Sequence, residues 1–296
     1  MKRIGIIGLG NMGGGMATTL QARGFHVMGH DASADVQARI AAQGIPLCGS
    51  AGALAREAQA IILSLPNSAI VEAVVLGPDG ILAHAAPGSL IIDTSTAHPD
   101  STRRIARDAR DAGIGFIDAP VSGGAQAAAQ GTLTMMLGGD TDTLARAEPI
   151  LDALSAKRVH VGPAGAGHTA KLLNNLLCGA HLILAGEAAR AARALGMDAE
   201  KIFEGINAGS GRSAVTEVNF PRWVFSETFD SGFTMALMRK DIGLAQSLLA
   251  SLGLDDYPLS TQCTQLWHDS SRRLGDDLDF NRITDFTASQ PGREHQ

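Results

Sequence analysis

The chain has 296 residues, 45% of them hydrophobic, 18% charged and 4% aromatic, with a net charge of −6. Domains average roughly 150 residues, so two are expected. The apolar fraction excludes a disordered chain, and the acidic balance argues against a nucleic-acid surface, which needs a basic patch.

Short apolar runs alternate with helical patterns through the first half. Residues 4–8, 25–30, 60–65, 90–94, 115–118, 133–137 and 159–161 read as strands. Ala-rich helical stretches such as 34–43 and 99–112 lie between them. This alternation predicts a mostly parallel sheet with helices on both faces. The strands are almost continuously apolar, which fits burial on both sides. The opening residues superficially look like a secretion signal, but the apolar stretch is too short and runs into glycines, so it reads as a strand.

The pattern changes at Gly162-Pro163-Ala164-Gly165. One long helix is expected over 165–195, stopped by Gly196, with Asp198 as the N-cap of the next. Helices alone follow, over 198–207, 234–252, 258–274 and 280–286, and the tail 291–296 looks frayed. The expected division is residues 1–163 as an α/β domain and 164–296 as an all-α domain. No run reaches the ~18 uninterrupted apolar residues of a membrane span. The best candidate, 172–189, is broken by Asn174, Asn175, His181 and Glu187. Cys48, Cys178 and Cys263 are odd in number and far apart. They suggest a reducing, cytoplasmic setting with no disulfide framework and no metal cluster.

Gly8-Leu9-Gly10-Asn11-Met12-Gly13 is a G-x-G-x-x-G between an apolar strand and a helix read over 16–23. Gly8 would permit the tight turn, Gly10 the approach of a pyrophosphate, and Gly13 close helix–strand packing. The helix N-terminus adds free N–H donors and positive potential. Asp31, at the end of the next strand, is placed to accept hydrogen bonds from ribose hydroxyls and would repel a 2′-phosphate. Ala32 and Ser33 bring no cation to offset that, so NAD is expected over NADP.

Three further segments carry chemistry. Ser122-Gly123-Gly124 follows a strand and can present consecutive N–H groups and a hydroxyl to a carboxylate. Lys171 and Asn175, spaced i, i+4, share a face of the long helix, with Leu172, Leu173 and Leu176 on its apolar side. Desolvation of Lys171 there would favour the neutral amine that proton transfer needs. Lys240-Asp241 sits in a later amphipathic helix. Taken singly, these segments read as an ordinary turn, an exposed lysine and a solvated ion pair.

Together they do not. The order and spacing of Gly8–Gly13, Asp118–Gly124, Gly165–Asn175 and Lys240–Ala245 resemble the β-hydroxyacid dehydrogenase family, which includes 3-hydroxyisobutyrate dehydrogenase and tartronate semialdehyde reductase. The resemblance implies an N-terminal Rossmann-like domain and a helical domain like that of 6-phosphogluconate dehydrogenase. It implies Lys171 as catalytic lysine and Asn175 as substrate ligand. Ser122, Gly123 and Gly124 become the carboxylate-binding segment. Gly8, Gly10, Asn11, Met12, Gly13, Asp31, Leu65, Pro66, Thr96 and Lys240 become cofactor positions. It also implies an oxidoreductase for a small β-hydroxy acid and a homodimer or homotetramer. Reduction of a small or sulfonated semialdehyde, imine reduction and a non-catalytic NAD-binding module stay open, the last two disfavoured by the presence of Lys171. His168 reads as a helix-entry polar residue or a second proton relay. Arg212 reads as a loop residue able to reach substrate, and 218–225 as packing that shapes a pocket.

Overall fold

The computed structural model describes residues 1–286; the tail expected to fray lies outside the described residues. The chain divides into two compact units, residues 1–171 and the residues from 172 on. The division falls inside the long helix, whereas the change of sequence pattern falls at the glycine-rich turn that precedes it.

In the first unit the elements run β1 (Arg3–Ile7), α1 (Asn11–Ala22), β2 (His26–His30), α2 (Ala34–Ala41), α3 (Ala51–Glu57), β3 (Ala60–Leu63), α4 (Ser68–Leu76), α5 (Ile81–His84), β4 (Leu90–Asp93) and α6 (Pro99–Asp111). They continue with β5 (Gly115–Asp118), β6 (Val121–Ser122), α7 (Gly124–Gln130), β7 (Leu133–Gly138), α8 (Thr141–Leu154) and β8 (Ser155–Gly162). The sheet has eight strands in the order β2-β1-β3-β4-β5-β7-β6, with β8 beside β7. Strands β1 to β5 are all parallel, while β7 is antiparallel to β5 and β6.

Alternation of side chains explains why the central strands are apolar throughout. Ile4, Ile6, Ile62, Leu90 and Ile92 enter one core; Ile7, Ile61, Leu63 and Ile91 enter the other. Each such side chain contributes ~1.5–3 kcal/mol when fully buried, and a polar residue at any of them would face a helix-covered core.

The second unit is helical. The long helix α9 (Ala166–Ala194) enters it; α10 (Ala199–Ala208), α11 (Met235–Ser251), α12 (Pro258–Asp269) and α13 (Ile283–Phe286) follow. Asp198 caps α10 through the N–H groups of Glu200 and Lys201. Residues 215–224 are π-helical, with a Phe225 N–H to Phe220 carbonyl bond of 2.8 Å. Pro221 lies within that stretch and offers no N–H to the tighter ladder. Phe220 is fully buried against Phe203, ring centroids 4.6 Å apart, in keeping with packing as the main task of this segment. Helix α9 is long and apolar enough by length and composition to cross a membrane, with mean hydropathy 1.2. Half of that window is buried, as in a core helix.

Candidate active site

The predicted dinucleotide and carboxylate positions in the first unit fall just beyond the carboxyl ends of β1, β2, β3, β4 and β5, in the loops there and at the starts of α1, β6 and α7. In open α/β sheets ligands bind at the carboxyl ends of the parallel strands. The loop after β1 is shaped as its glycines require. Gly8 has φ of +87°, and a Cβ there would lie 2.2 Å from the Ser64 carbonyl oxygen. A Cβ on Gly13 would lie 1.8 Å from the Gly8 carbonyl oxygen, so helix and turn touch backbone to backbone. Gly10 differs: a Cβ there meets nothing within 4 Å. The space is open where a diphosphate would approach, and no side chain caps α1, which begins at Asn11 and Met12. Uncapped first-turn amides are what an anion completes. These residues fit a dinucleotide.

Asp31 is more engaged than expected. Its Oδ2 accepts the Leu9 N–H at 2.6 Å and its Oδ1 accepts the Ser33 N–H at 2.8 Å. The carboxylate therefore braces the glycine turn itself, and each oxygen keeps a further lone pair for a ribose hydroxyl. A cation missed by the sequence reading also lies here. Arg39 of α2 donates to the Leu9 carbonyl at 2.8 Å. The residues next to Asp31 in sequence bring no cation, but helix α2 carries Arg39 back to the turn.

The next two loops are tied together. The Leu65 N–H donates to Ser95 Oγ at 3.0 Å, and Thr94 Oγ1 donates to the Leu63 carbonyl at 2.6 Å. Pro66 and Thr96 follow Leu65 and Ser95 directly. After β5, Gly123 and Gly124 take φ of +123° and +70°, and α7 starts without a side-chain cap. Ser122 is half-buried beside them.

The start of α9 is held by Asp118, fully buried at the end of β5. Its Oδ1 accepts the Gly165 N–H and its Oδ2 the His168 N–H, both at 2.8 Å. A carboxylate at a helix N-terminus satisfies orphan donors and complements the dipole. One turn on, Lys171 is only 7% exposed, so the lysine that in isolation reads as solvent-exposed is buried.

In the second unit Asn175, 5% exposed, donates through Nδ2 to Asp241 Oδ2 at 2.6 Å. Lys240 Nζ lies 3.2 Å from Asp241 Oδ1. Asp241 is 1% exposed, so this is not the solvated pair that the two residues suggest in isolation. The buried carboxylate joins Asn175 to Lys240. Arg212 does not join them: its side chain is 63% exposed, 3.7 Å from Glu217.

His168 is fully buried. Its Nδ1 lies 2.7 Å from Thr102 Oγ1 and its Nε2 3.0 Å from the Ser95 carbonyl. Asp93 Oδ2 stands 4.0 Å away and Asp118 Oδ2 3.9 Å away. Burial pushes the Asp93 carboxyl up, with His168 and Ser95 pulling the other way.

Residues 3–162 match the family model for the NAD binding domain of 6-phosphogluconate dehydrogenase. Residues 165–286 match that for the NAD-binding domain of NADP-dependent 3-hydroxyisobutyrate dehydrogenase. The NAD-dependent L-serine dehydrogenase of Pseudomonas aeruginosa is 40% identical over 90% of this chain and 91% of its own. The 2-(hydroxymethyl)glutarate dehydrogenase of Eubacterium barkeri is 37% identical over 92% and 90%. The structure of Mycobacterium tuberculosis 3-hydroxyisobutyrate dehydrogenase with L-serine superposes with a TM-score of 0.90 at 34% identity, covering 98% of this chain and all of that one. Matched in both halves and across nearly its whole length, the chain belongs to the β-hydroxyacid dehydrogenase family, the NAD(P)-dependent oxidoreductases of small hydroxy acids.

Proposed function

We propose that the chain oxidises a 3-hydroxy acid of the form HOCH2–CHR–COO⁻, preferring NAD, with Lys171 as general base. The observation that carries this reading is Lys171 itself: an amine 7% exposed, in the second turn of a helix whose start is fixed to the end of β5. The substrate class is supported by chemistry that the relatives' names share. L-serine, 3-hydroxyisobutyrate and 2-(hydroxymethyl)glutarate each carry a hydroxymethyl group on the carbon that bears a carboxylate.

The Ser122–Gly124 segment binds the carboxylate through main-chain N–H groups and the Ser122 hydroxyl. Asn175, oriented by Asp241, holds the hydroxyl. Lys171 Nζ takes the hydroxyl proton as the carbonyl forms, and returns it when the semialdehyde is reduced. Such acid–base work contributes ~10²–10⁴-fold in rate. The nicotinamide, when bound, supplies the hydride acceptor. Gly8, Gly10, Asn11, Met12 and Gly13 hold the diphosphate, Asp31 the adenosine ribose. Leu65, Pro66 and Thr96 would line the dinucleotide, and Lys240 is the candidate contact for its nicotinamide.

A homo-oligomer, dimer or tetramer, fits the outer face of α9, where Leu173, Leu177 and Leu184 are 40%, 59% and 66% exposed. A cytoplasmic setting fits cysteines that form no disulfide among the described residues.

The test is reduction of NAD by the purified protein with L-serine, 3-hydroxyisobutyrate, 2-(hydroxymethyl)glutarate, a sulfonate analogue, and lactate as a 2-hydroxy control. Turnover of at least one hydroxymethyl acid and none of lactate is expected. Turnover of lactate alone, or of none, would contradict the reading.

A further inference from the structure

His168 takes no part in the chemistry above, yet it is buried and bonded to several elements of the first unit. The imidazole is fully buried. The Ser95 carbonyl only accepts, so Nε2 must carry a proton to bond it at 3.0 Å. On the other side, Nδ1 meets Thr102 Oγ1 of α6 at 2.7 Å. The His168 N–H is held by Asp118 at the end of β5. Ser95 in turn receives the Leu65 N–H from the loop after β3 and donates its own N–H to Asp93 Oδ1 at 3.0 Å.

Through its ring His168 thus ties the loop after β4 and helix α6 to the first turn of α9, while its backbone N–H is held by Asp118 of β5 and Ser95 carries the link on to the loop after β3. The turn is also pressed against the sheet: a Cβ on Gly167 would lie 2.5 Å from the Met136 carbonyl oxygen and 2.8 Å from that of Asp118. Lys171 stands three residues after His168, so anything that shifts or rotates this turn moves the amine. Misplacement by about 1 Å can cost 10²-fold in rate.

We propose that His168 is a positioning residue for Lys171: its ring, clamped between the Ser95 carbonyl and the Thr102 hydroxyl, sets the height and rotation of the first turn of α9 against the sheet. The proposal rests on the reading of Lys171 as the acid–base group. An apolar side chain of similar bulk would fill the space but release both ring contacts. Glutamine can restore the donor to Ser95, because its amide nitrogen can reach the place of Nε2.

The test compares kcat, hydroxy-acid KM and dinucleotide Kd for His168→Leu, His168→Gln, Lys171→Ala and the double variant His168→Leu/Lys171→Ala. The substrate is whichever of L-serine, 3-hydroxyisobutyrate and 2-(hydroxymethyl)glutarate the wild type turns over fastest. His168→Leu should lower kcat by about 10-fold or more with little change in KM. His168→Gln should recover most of the loss. In the Lys171→Ala background, His168→Leu should cost almost nothing further, since there is no amine left to place. A folded His168→Leu with wild-type kcat overturns the proposal. So does an equal loss with and without Lys171, which would show a role that does not pass through the amine. Wild-type kcat in Lys171→Ala instead overturns the acid–base reading. Should His168→Leu fail to fold, Thr102→Val takes its place. Of the two ring contacts it releases only that at Nδ1, together with the Thr102 bond to the His98 carbonyl within α6, and a partial fall in kcat that is absent in the Lys171→Ala background is then the expected result; unchanged kcat counts against the proposal.

Discussion

At the place proposed for a ribose, the fold is braced by Asp31. Two backbone N–H groups hold it, and such charge-assisted bonds contribute ~1.5–3 kcal/mol each. Asp31→Ala should therefore loosen the turn as well as admit NADP, raising the ratio of NADP to NAD turnover. An unchanged ratio would leave the carboxylate as a brace for Leu9 and nothing more. Arg39, bonded to Leu9 from the other side, is the residue to which a 2′-phosphate would then turn. At Cys263, burial pushes the thiol up to about 11. The reactive thiolate forms only as pH rises through that value, so at neutral pH the native thiol is inert. Iodoacetamide should leave the Cys263 peptide unmodified in folded protein and modify it in urea. Equal labelling in both would mean that the thiol is not buried as described.

Among the elements, the strand–loop–helix unit at the start of the chain was the most legible in sequence, because each glycine there answers a steric demand. That makes a sharp contrast available. Gly10→Ala meets open space, so melting temperature should barely move while dinucleotide affinity falls. Gly13→Ala must displace the Gly8 carbonyl, so melting temperature itself should fall. The same fall in both, read by thermal melting and dinucleotide titration, would refute the distinction. The long helix was equally legible, bracketed by Gly165 and Gly196. What sequence could not supply was partnership across distance. The two ring contacts of His168 span 66 and 73 residues, and the Asn175–Asp241 bond spans 66. Local pattern favours a solvated pair at Lys240-Asp241, which the burial of Asp241 overrides; His168 does enter the helix, but its burial and its ring partners come from distant segments that local pattern does not show. The π-helical winding of 215–224 has no local signal beyond Pro221.

For the whole molecule, composition and the four ordered motifs foretold the architecture: a mostly parallel sheet in one unit, helices in the other. Assembly is a separate matter. Leu177 and Leu184 are exposed on α9, and exposed apolar side chains gathered on one face are candidates for an association surface. Leu177→Glu/Leu184→Glu should lower the sedimentation mass toward one chain of 30.6 kDa without unfolding the helix. A wild type already sedimenting at that mass would exclude the oligomer.

The most direct measurement is the turnover of Lys171→Ala beside its dinucleotide affinity. Loss of ~10²–10⁴-fold in kcat with near-normal NAD binding is the expected result. Wild-type kcat, or a loss explained wholly by failure to bind NAD, would contradict the role assigned to this buried amine.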